Sequence, residues 1–369
     1  MLQKLSEIKT KKVVRNLLTA LMLGSVALAD AAAVTNAEQN AGLANPFLLL
    51  TEQELGEKDA ALADFWQQQV VTGFLKAADG TPLFYAYHNT VQAKATVVIV
   101  TGRTEAIAKY QELFFELGRL GYAVLGYDHR GQGQSGRLLA DTQIGHVQSF
   151  ADYVQDLHLL QSELSPLLPK DKVLLAHSMG GAVASSYLAT YPGVFKAAAL
   201  SAPMHAPNTE LVFGAKDGCY LQQILGWTCP DCYAGFASSP YQNSTFANNI
   251  YSHSEVRYQR FRQLFEQQPG LQLGGPSWQW LGEACAIAER MPSIASQIRV
   301  PVKILQAGED VAVRSEAQQL FCEALGTYCA GGSVMKIDGA RHEILFEADR
   351  YRLPALTEIL RFYQQQLAI

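Results

Sequence analysis

Ala176-His177-Ser178-Met179-Gly180-Gly181 is the stretch that decides the fold. Before it, Lys172-Val173-Leu174-Leu175 reads as a short buried strand, and after it Gly181 through Ala189 reads as a helix with a small-residue face. A serine held on so sharp a turn between strand and helix is the pattern of a nucleophile elbow. The turn crowds the positions two before and two after the serine, so both must be small, and Ala176 and Gly180 meet that demand. A serine hydroxyl attacks only when a neighbouring base takes its proton. Reading Ser178 as the nucleophile therefore requires a histidine and a carboxylate downstream.

Both occur. The strand Val302-Lys303-Ile304-Leu305 runs into Gln306-Ala307-Gly308-Glu309-Asp310, which puts a carboxylate past the C-terminal end of a parallel strand, where such sheets carry their sites. Asp310 is the candidate acid. Glu309 competes with it, and Val313, which returns the chain to the core, favours Asp310. A last strand, Ser333 to Ile337, leads to Asp338-Gly339-Ala340-Arg341-His342, and His342 is the candidate base. Ser, then Asp, then His is the chain order this architecture uses. His342 would take the Ser178 proton and return it to the leaving group, while Asp310 fixes the imidazole tautomer. The oxyanion then needs two donors. The backbone N–H of Met179, at the helix start, is one. The other is the backbone N–H of Arg103, in the loop Thr101-Gly102-Arg103-Thr104-Glu105, where the glycine admits close approach; the arginine side chain is given no part.

The rest of the chain fits an α/β protein. A helix over Glu52–Gln68 precedes two strand-like segments, Val70–Lys76 and Pro82–His88, joined through Asp79-Gly80, a hairpin signal. Strands and helices then alternate: strand Ala95–Val100, helix Ile107–Leu120, strand Tyr122–Tyr127, helix Phe150–Leu164, the elbow, and strand Ala197–Leu200. That rhythm specifies a mostly parallel central sheet covered by helices on both faces. It stops between Met204 and Arg299, a stretch holding three of the four tryptophans and many other aromatics, and resumes with helices Ser315–Leu325 and Tyr351–Leu367. The expected organisation is a leader at 1–29, an N-terminal arm at 30–69, one catalytic domain from 70–203 and 300–369, and an inserted, mainly helical cap at 204–299.

The leader reading rests on Lys4, Lys9, Lys11, Lys12 and Arg15 before an apolar run from Leu17 to Leu28 and the small residues around Ala29 and Ala31. An uncleaved anchor is the alternative, but about a dozen apolar residues fall short of the roughly 20 that span a bilayer. Export, to the periplasm or medium, is expected. Six cysteines, all in the second half, fit an oxidising compartment. Cys322 with Cys329 could close a short loop, Cys229-Pro230-Asp231-Cys232 reads as a structural disulfide rather than a redox motif, and the remaining pairing is open.

Several functions are excluded. A formal charge of −5 with no cluster of Lys and Arg beyond the first residues disfavours nucleic acid. Asp128-His129-Arg130-Gly131-Gln132-Gly133-Gln134-Ser135-Gly136-Arg137 has the spacing of neither a dinucleotide loop nor a P-loop, and its three glycines read as a tight loop beside the nucleophile. His342-Glu343 lacks a second histidine four residues on, so no metal site is expected, and no cofactor.

Taken together, the elbow, the Asp128–Arg137 stretch, the Gly308–Val313 acid loop and the His342 loop resemble the α/β-hydrolase family of monoacylglycerol lipases and lysophospholipases. Gly102-Arg103 with Glu105, Gly131 through Asp141, Gly274-Gly275-Pro276 and His342 through Asp349 are similar, more narrowly, to the bacterial L2-type lysophospholipases. Thr101 stands where that family usually has a histidine. The resemblance covers roughly residues 60–369 and implies hydrolysis of the single acyl ester of a lysophospholipid or monoacylglycerol, with peripheral membrane contact as a further expectation. Three alternatives stay open: acyl transfer to a lipid alcohol, a non-catalytic binding module on the same fold, and a proline-releasing aminopeptidase, which would need an acidic clamp in the cap.

Overall fold

A computed structural model describes residues 44–210, 218–235 and 238–369. The expected leader at 1–29, the start of the expected arm at 30–43 and Phe236 of the expected cap lie outside the described residues. The compact unit runs from Asn45 to Ile369.

The arm begins with helix α1 (Glu52–Glu57), opened by a capping box in which Thr51 Oγ1 accepts the Glu54 N–H and the Glu54 carboxylate accepts the Thr51 N–H. The single helix expected over Glu52–Gln68 is in fact two. Lys58, at φ −101° and ψ 13°, ends α1, and α2 (Asp59–Gln69) follows at once. Gly56 weakens the last turn of α1, and the break lets Leu55 and Leu62 bury together against Leu50.

Strands β1 (Val71–Lys76) and β2 (Pro82–His88) form the expected antiparallel hairpin. Gly80 takes φ 88° in its turn, a conformation that suits glycine. Next come β3 (Thr96–Val100), a 3-10 turn over Ile107–Tyr110, α3 (Gln111–Arg119), β4 (Ala123–Tyr127), α4 (Phe150–Leu164), β5 (Lys172–His177), α5 (Met179–Thr190) and β6 (Ala197–Ser201). The inserted segment supplies α6 (Gly218–Leu225), α7 (Glu255–Gln267) and α8 (Trp278–Ala295). The chain closes with β7 (Val302–Ala307), α9 (Ser315–Leu325), β8 (Met335–Ile337) and α10 (Asp349–Leu367). The last strand starts later than Ser333 because Gly331 and Gly332, at φ 87° and 73°, are still turning the chain.

The sheet has eight strands in the order β1-β2-β4-β3-β5-β6-β7-β8. β1 and β2 enter antiparallel, and β2 pairs antiparallel with β4; every pair from β4 to β8 is parallel. Both faces of β3, β4, β5 and β6 are buried, which is why they read as unbroken apolar runs. Ser178 follows directly on β5, in the middle of the sheet.

The insertion does not carry a wholly separate core. Leu281, Ala284, Ile287 and Met291 of α8 share one apolar cluster with Val183 and Tyr187 of α5 and Phe321 of α9. Three disulfides staple the second half: Cys219–Cys285 joins α6 to α8, Cys229–Cys232 closes a short loop, and Cys322–Cys329 ties the end of α9 to the loop beyond it. Among the described residues no helix is long and apolar enough to cross a membrane.

Candidate active site

Ser178 sits at φ 53° and ψ −121°, strained for a residue with a Cβ. The crowding that demands this turn is visible on the helix side of Ser178. A Cβ on Gly180 would stand 2.3 Å from the Val100 carbonyl oxygen and 2.4 Å from that of Thr101, and one on Gly181 would meet Pro203 at 2.4 Å. The Ser178 N–H donates to Ser201 O, and Ser178 O accepts from Gly181 and Met204, so the elbow is held by strand and loop alike.

The structure brings the three side chains singled out in the sequence into one line. Ser178 Oγ lies 2.9 Å from His342 Nε2, and His342 Nδ1 lies 2.8 Å from Asp310 Oδ2. Asp310 also accepts the backbone N–H groups of Ala312 and Val313 on Oδ1 at 2.8 and 3.1 Å. Its neighbour Glu309 is tied by its backbone, N–H to Ala340 O. Burial alone would raise the Asp310 pKa, but the imidazole and these donors outweigh it, and the carboxyl is held below its ordinary value. For His342, burial pushes the pKa down and the Asp310 carboxylate more than reverses this, so it ends raised. An acceptor on Nδ1 fixes the tautomer that leaves Nε2 free to accept the serine proton.

Met179 and Arg103 both line the cavity above Ser178. Met179 is the first residue of α5, where a backbone N–H has no partner inside the helix. The loop carrying Arg103 is braced from three directions. Glu105 Oε2 accepts the Gly102 N–H, His129 donates through Nε2 to Thr101 O at 3.0 Å, and Gln132 Nε2 donates to Gly102 O at 2.7 Å and Glu105 O at 3.0 Å. Burial lowers the His129 pKa to about 4, so the ring is neutral at pH 7. His129 and Gln132 belong to the Asp128–Arg137 stretch. Its glycines make the tight loop expected: a Cβ on Gly133 would stand 2.2 Å from the Asp128 carboxyl, which accepts the Gln134 N–H.

Sequence reasoning missed a buried charge cluster behind the loop. Lys109 Nζ donates to Glu105 Oε1 and to Glu343 Oε2, each at 2.6 Å, and Tyr110 donates its hydroxyl to Glu105 Oε2. Burial would raise the Glu105 pKa, yet Lys109 holds it at about 2. Glu105, His177 and Glu343 place possible ligand atoms within 4.8 Å of one another, but the Lys109 ammonium already holds the place of a cation between the two carboxylates. A Glu–Lys spacing of four residues was the signal, and on sequence alone it is an ordinary surface ion pair.

The Arg103 side chain, given no part on sequence, has one. Its guanidinium donates to Gly274 O at 3.0 Å and lies over the Trp280 ring, 5.3 Å from the centroid. It thereby ties the loop to the insertion. The Gly274-Gly275-Pro276 turn is locked in return, Gly274 N–H to Gln143 O and Gly145 N–H to Gly275 O; a Cβ on Gly274 would stand 2.3 Å from Ser239 O.

The cavity over Ser178 encloses about 490 Å³, within the range of small-molecule sites. Its insertion side is aromatic, with Tyr241, Tyr251, Phe261, Phe265 and Trp280. Among the described lining residues that side holds Arg262 and no carboxylate.

Residues 91–349 match the family described as serine aminopeptidase, S33. The chain belongs to this α/β-hydrolase family. Its relatives in the family include lysophospholipase L2 of Escherichia coli strain K12, 38% identical over 312 residues, 82% of this chain and 90% of the relative. Human monoglyceride lipase is 36% identical over 293 residues, 79% of this chain and 89% of the relative. Among solved structures, a soluble variant of the Saccharomyces cerevisiae monoglyceride lipase superposes with a TM-score of 0.63 over 81% of this chain and 96% of that one; at 16% identity it speaks for the shared fold alone.

Proposed function

We propose that the protein hydrolyses the carboxylic ester of single-chain lipids, lysophospholipids first and monoacylglycerols second, through an acyl-serine intermediate on Ser178. The observation that carries the chemistry is the unbroken line from Asp310 through His342 to Ser178 Oγ at the floor of the cavity. The relatives named above supply the substrate class.

His342 Nε2 takes the Ser178 proton as Oγ attacks the acyl carbonyl. The resulting oxyanion accepts from the N–H groups of Met179 and Arg103, and His342 returns the proton to the departing alcohol. Water then repeats the cycle on the acyl-serine. The aromatic wall of the insertion suits one acyl chain. A free amino terminus is poorly served, because the clamp an aminopeptidase needs would be acidic and the described cap residues around the cavity offer Arg262 instead.

The test is fatty-acid release from lysophospholipids, monoacylglycerols, short p-nitrophenyl esters and aminoacyl anilides, beside Ser178→Ala. Release from single-chain lipids, lost in the variant, is expected. A folded wild type that cleaves only the anilides overturns the reading, and a product that moves to an added lipid alcohol in preference to water turns it into acyl transfer.

Tyr220, Ile224 and Trp227 stand exposed on and just after α6, and Trp and Tyr favour the boundary between apolar phase and water. These side chains support a proposal that the protein contacts a lipid surface, checked by vesicle co-sedimentation of the wild type and of Trp227→Ser. Export rests on the leader-like residues and on three disulfides that use every cysteine of the chain; processing of the leader in a cell fractionation is the check.

A further inference from the structure

Two successive peptide groups form the turn under Arg103, and together they present four polar atoms. Three are taken by side chains. The carbonyl of Thr101 accepts from His129, the N–H of Gly102 donates to Glu105, and the carbonyl of Gly102 accepts from Gln132 at 2.7 Å. The fourth is the N–H of Arg103. It shares a planar amide with the Gly102 carbonyl, so the direction of one fixes the direction of the other. Gln132 is 2% exposed, and its second bond, to Glu105 O, spans the far end of the same loop.

We propose that Gln132 is a positioning residue for the oxyanion donor: its carboxamide aims the Arg103 N–H into the cavity and strengthens it as a donor. The aim comes from the rigid amide plane. The strength comes from polarisation, since an amide whose oxygen accepts a hydrogen bond carries a more positive N–H, an effect that a dry interior does not screen. Gln132 touches neither substrate nor Ser178 in this scheme. This rests on the proposed ester hydrolysis with Arg103 as oxyanion donor.

The experiment uses the full chain and a soluble short-chain p-nitrophenyl ester. Gln132→Met keeps length and packing and removes both donors. Its kcat is expected to fall about 10- to 100-fold, less than the 10²–10³ for deleting an oxyanion donor outright, with KM within about threefold. The discriminating readout is the affinity of an alkyl trifluoromethyl ketone, which adds to Ser178 and places an oxyanion in the same position. That affinity should fall by the same factor as kcat/KM. A fall in kcat/KM with unchanged ketone affinity, or a kcat within twofold of wild type, overturns the proposal. If Gln132→Met does not fold, Gln132→Asn, too short to span both carbonyls, is expected to show the same parallel loss at smaller size, and its absence is equally decisive. Wild type and Ser178→Ala run alongside: a Ser178→Ala protein that still hydrolyses the ester sinks the hydrolase reading itself, whereas an inactive Ser178→Ala beside an unaffected Gln132→Met sinks only this inference.

Discussion

His342 has to be neutral to take a proton, and its raised pKa means that it loses neutrality at a higher pH than an ordinary imidazole of 6.5. The acid limb of kcat/KM should accordingly lie above pH 6.5. Asp310→Asn removes the charge that raises it, so in that variant the limb should move to lower pH while kcat falls about 10³- to 10⁴-fold. A limb that stays in place would mean that another group titrates. Glu105 gives a prediction of opposite sign for stability. Its folded pKa, about 2, lies below its ordinary 4.5, so its contribution is present above pH 4.5 and is lost as pH falls toward 2. Glu105→Gln should be less stable than wild type at neutral pH, and the gap should shrink across that window, measured by denaturant melts at each pH. The hydrogen-bonded line of Ser178, His342 and Asp310 was legible because each residue is placed by a local pattern at a strand end. Lys109, Gln132 and the Arg103 side chain were not, because each acts on a partner that only the folded sheet brings near.

At the scale of elements, the elbow shows what a glycine is for. Gly180→Ala puts a methyl group 2.3 Å from the Val100 carbonyl, backbone that cannot yield as a side chain tip would. It should cost about 1–3 kcal/mol or more and displace Ser178. Gly56→Ala, with nothing within 4 Å of the new methyl and a place in the weak last turn of α1, should instead gain up to about 1 kcal/mol. Thermal melts of the pair check both. The same contrast explains which elements could be read from sequence. Strands β3 to β7 announce themselves as apolar runs between breakers, and the Asp79-Gly80 hairpin carries its own turn chemistry. The split at Lys58 does not, since both halves are good helix and the break is set by what Leu55 and Leu62 find to pack against. Nor does periodicity show that α8, read with the insertion, buries its apolar face on α5.

Seen whole, the insertion is fixed to the catalytic layers by charge as well as by apolar packing. Arg257 of α7 is buried beneath the arm, donating to Glu112 of α3 at 3.0–3.2 Å, to Asp349 of α10 at 3.0 Å, and to the carbonyls of Leu50 and Glu347. Arg352 of α10 lies beside it on Glu116 and Glu112. The two arginines neutralise one buried acidic group of side chains, but only Arg257 comes from the insertion. Removing one partner from such a network strands buried carboxylates and costs about 3–5 kcal/mol. Arg257→Met and Arg352→Met should therefore lose similar stability, yet differ in what loosens. In Arg257→Met, amide exchange should rise across α7, and kcat/KM for a long-chain ester should fall more than for a short one, because Phe261 and Phe265 of the cavity wall ride on that helix. In Arg352→Met the wall keeps its anchor and the ratio of long- to short-chain rates should stay near wild type. Equal chain-length ratios in the two variants would show that the network holds the fold together without holding the shape of the cavity.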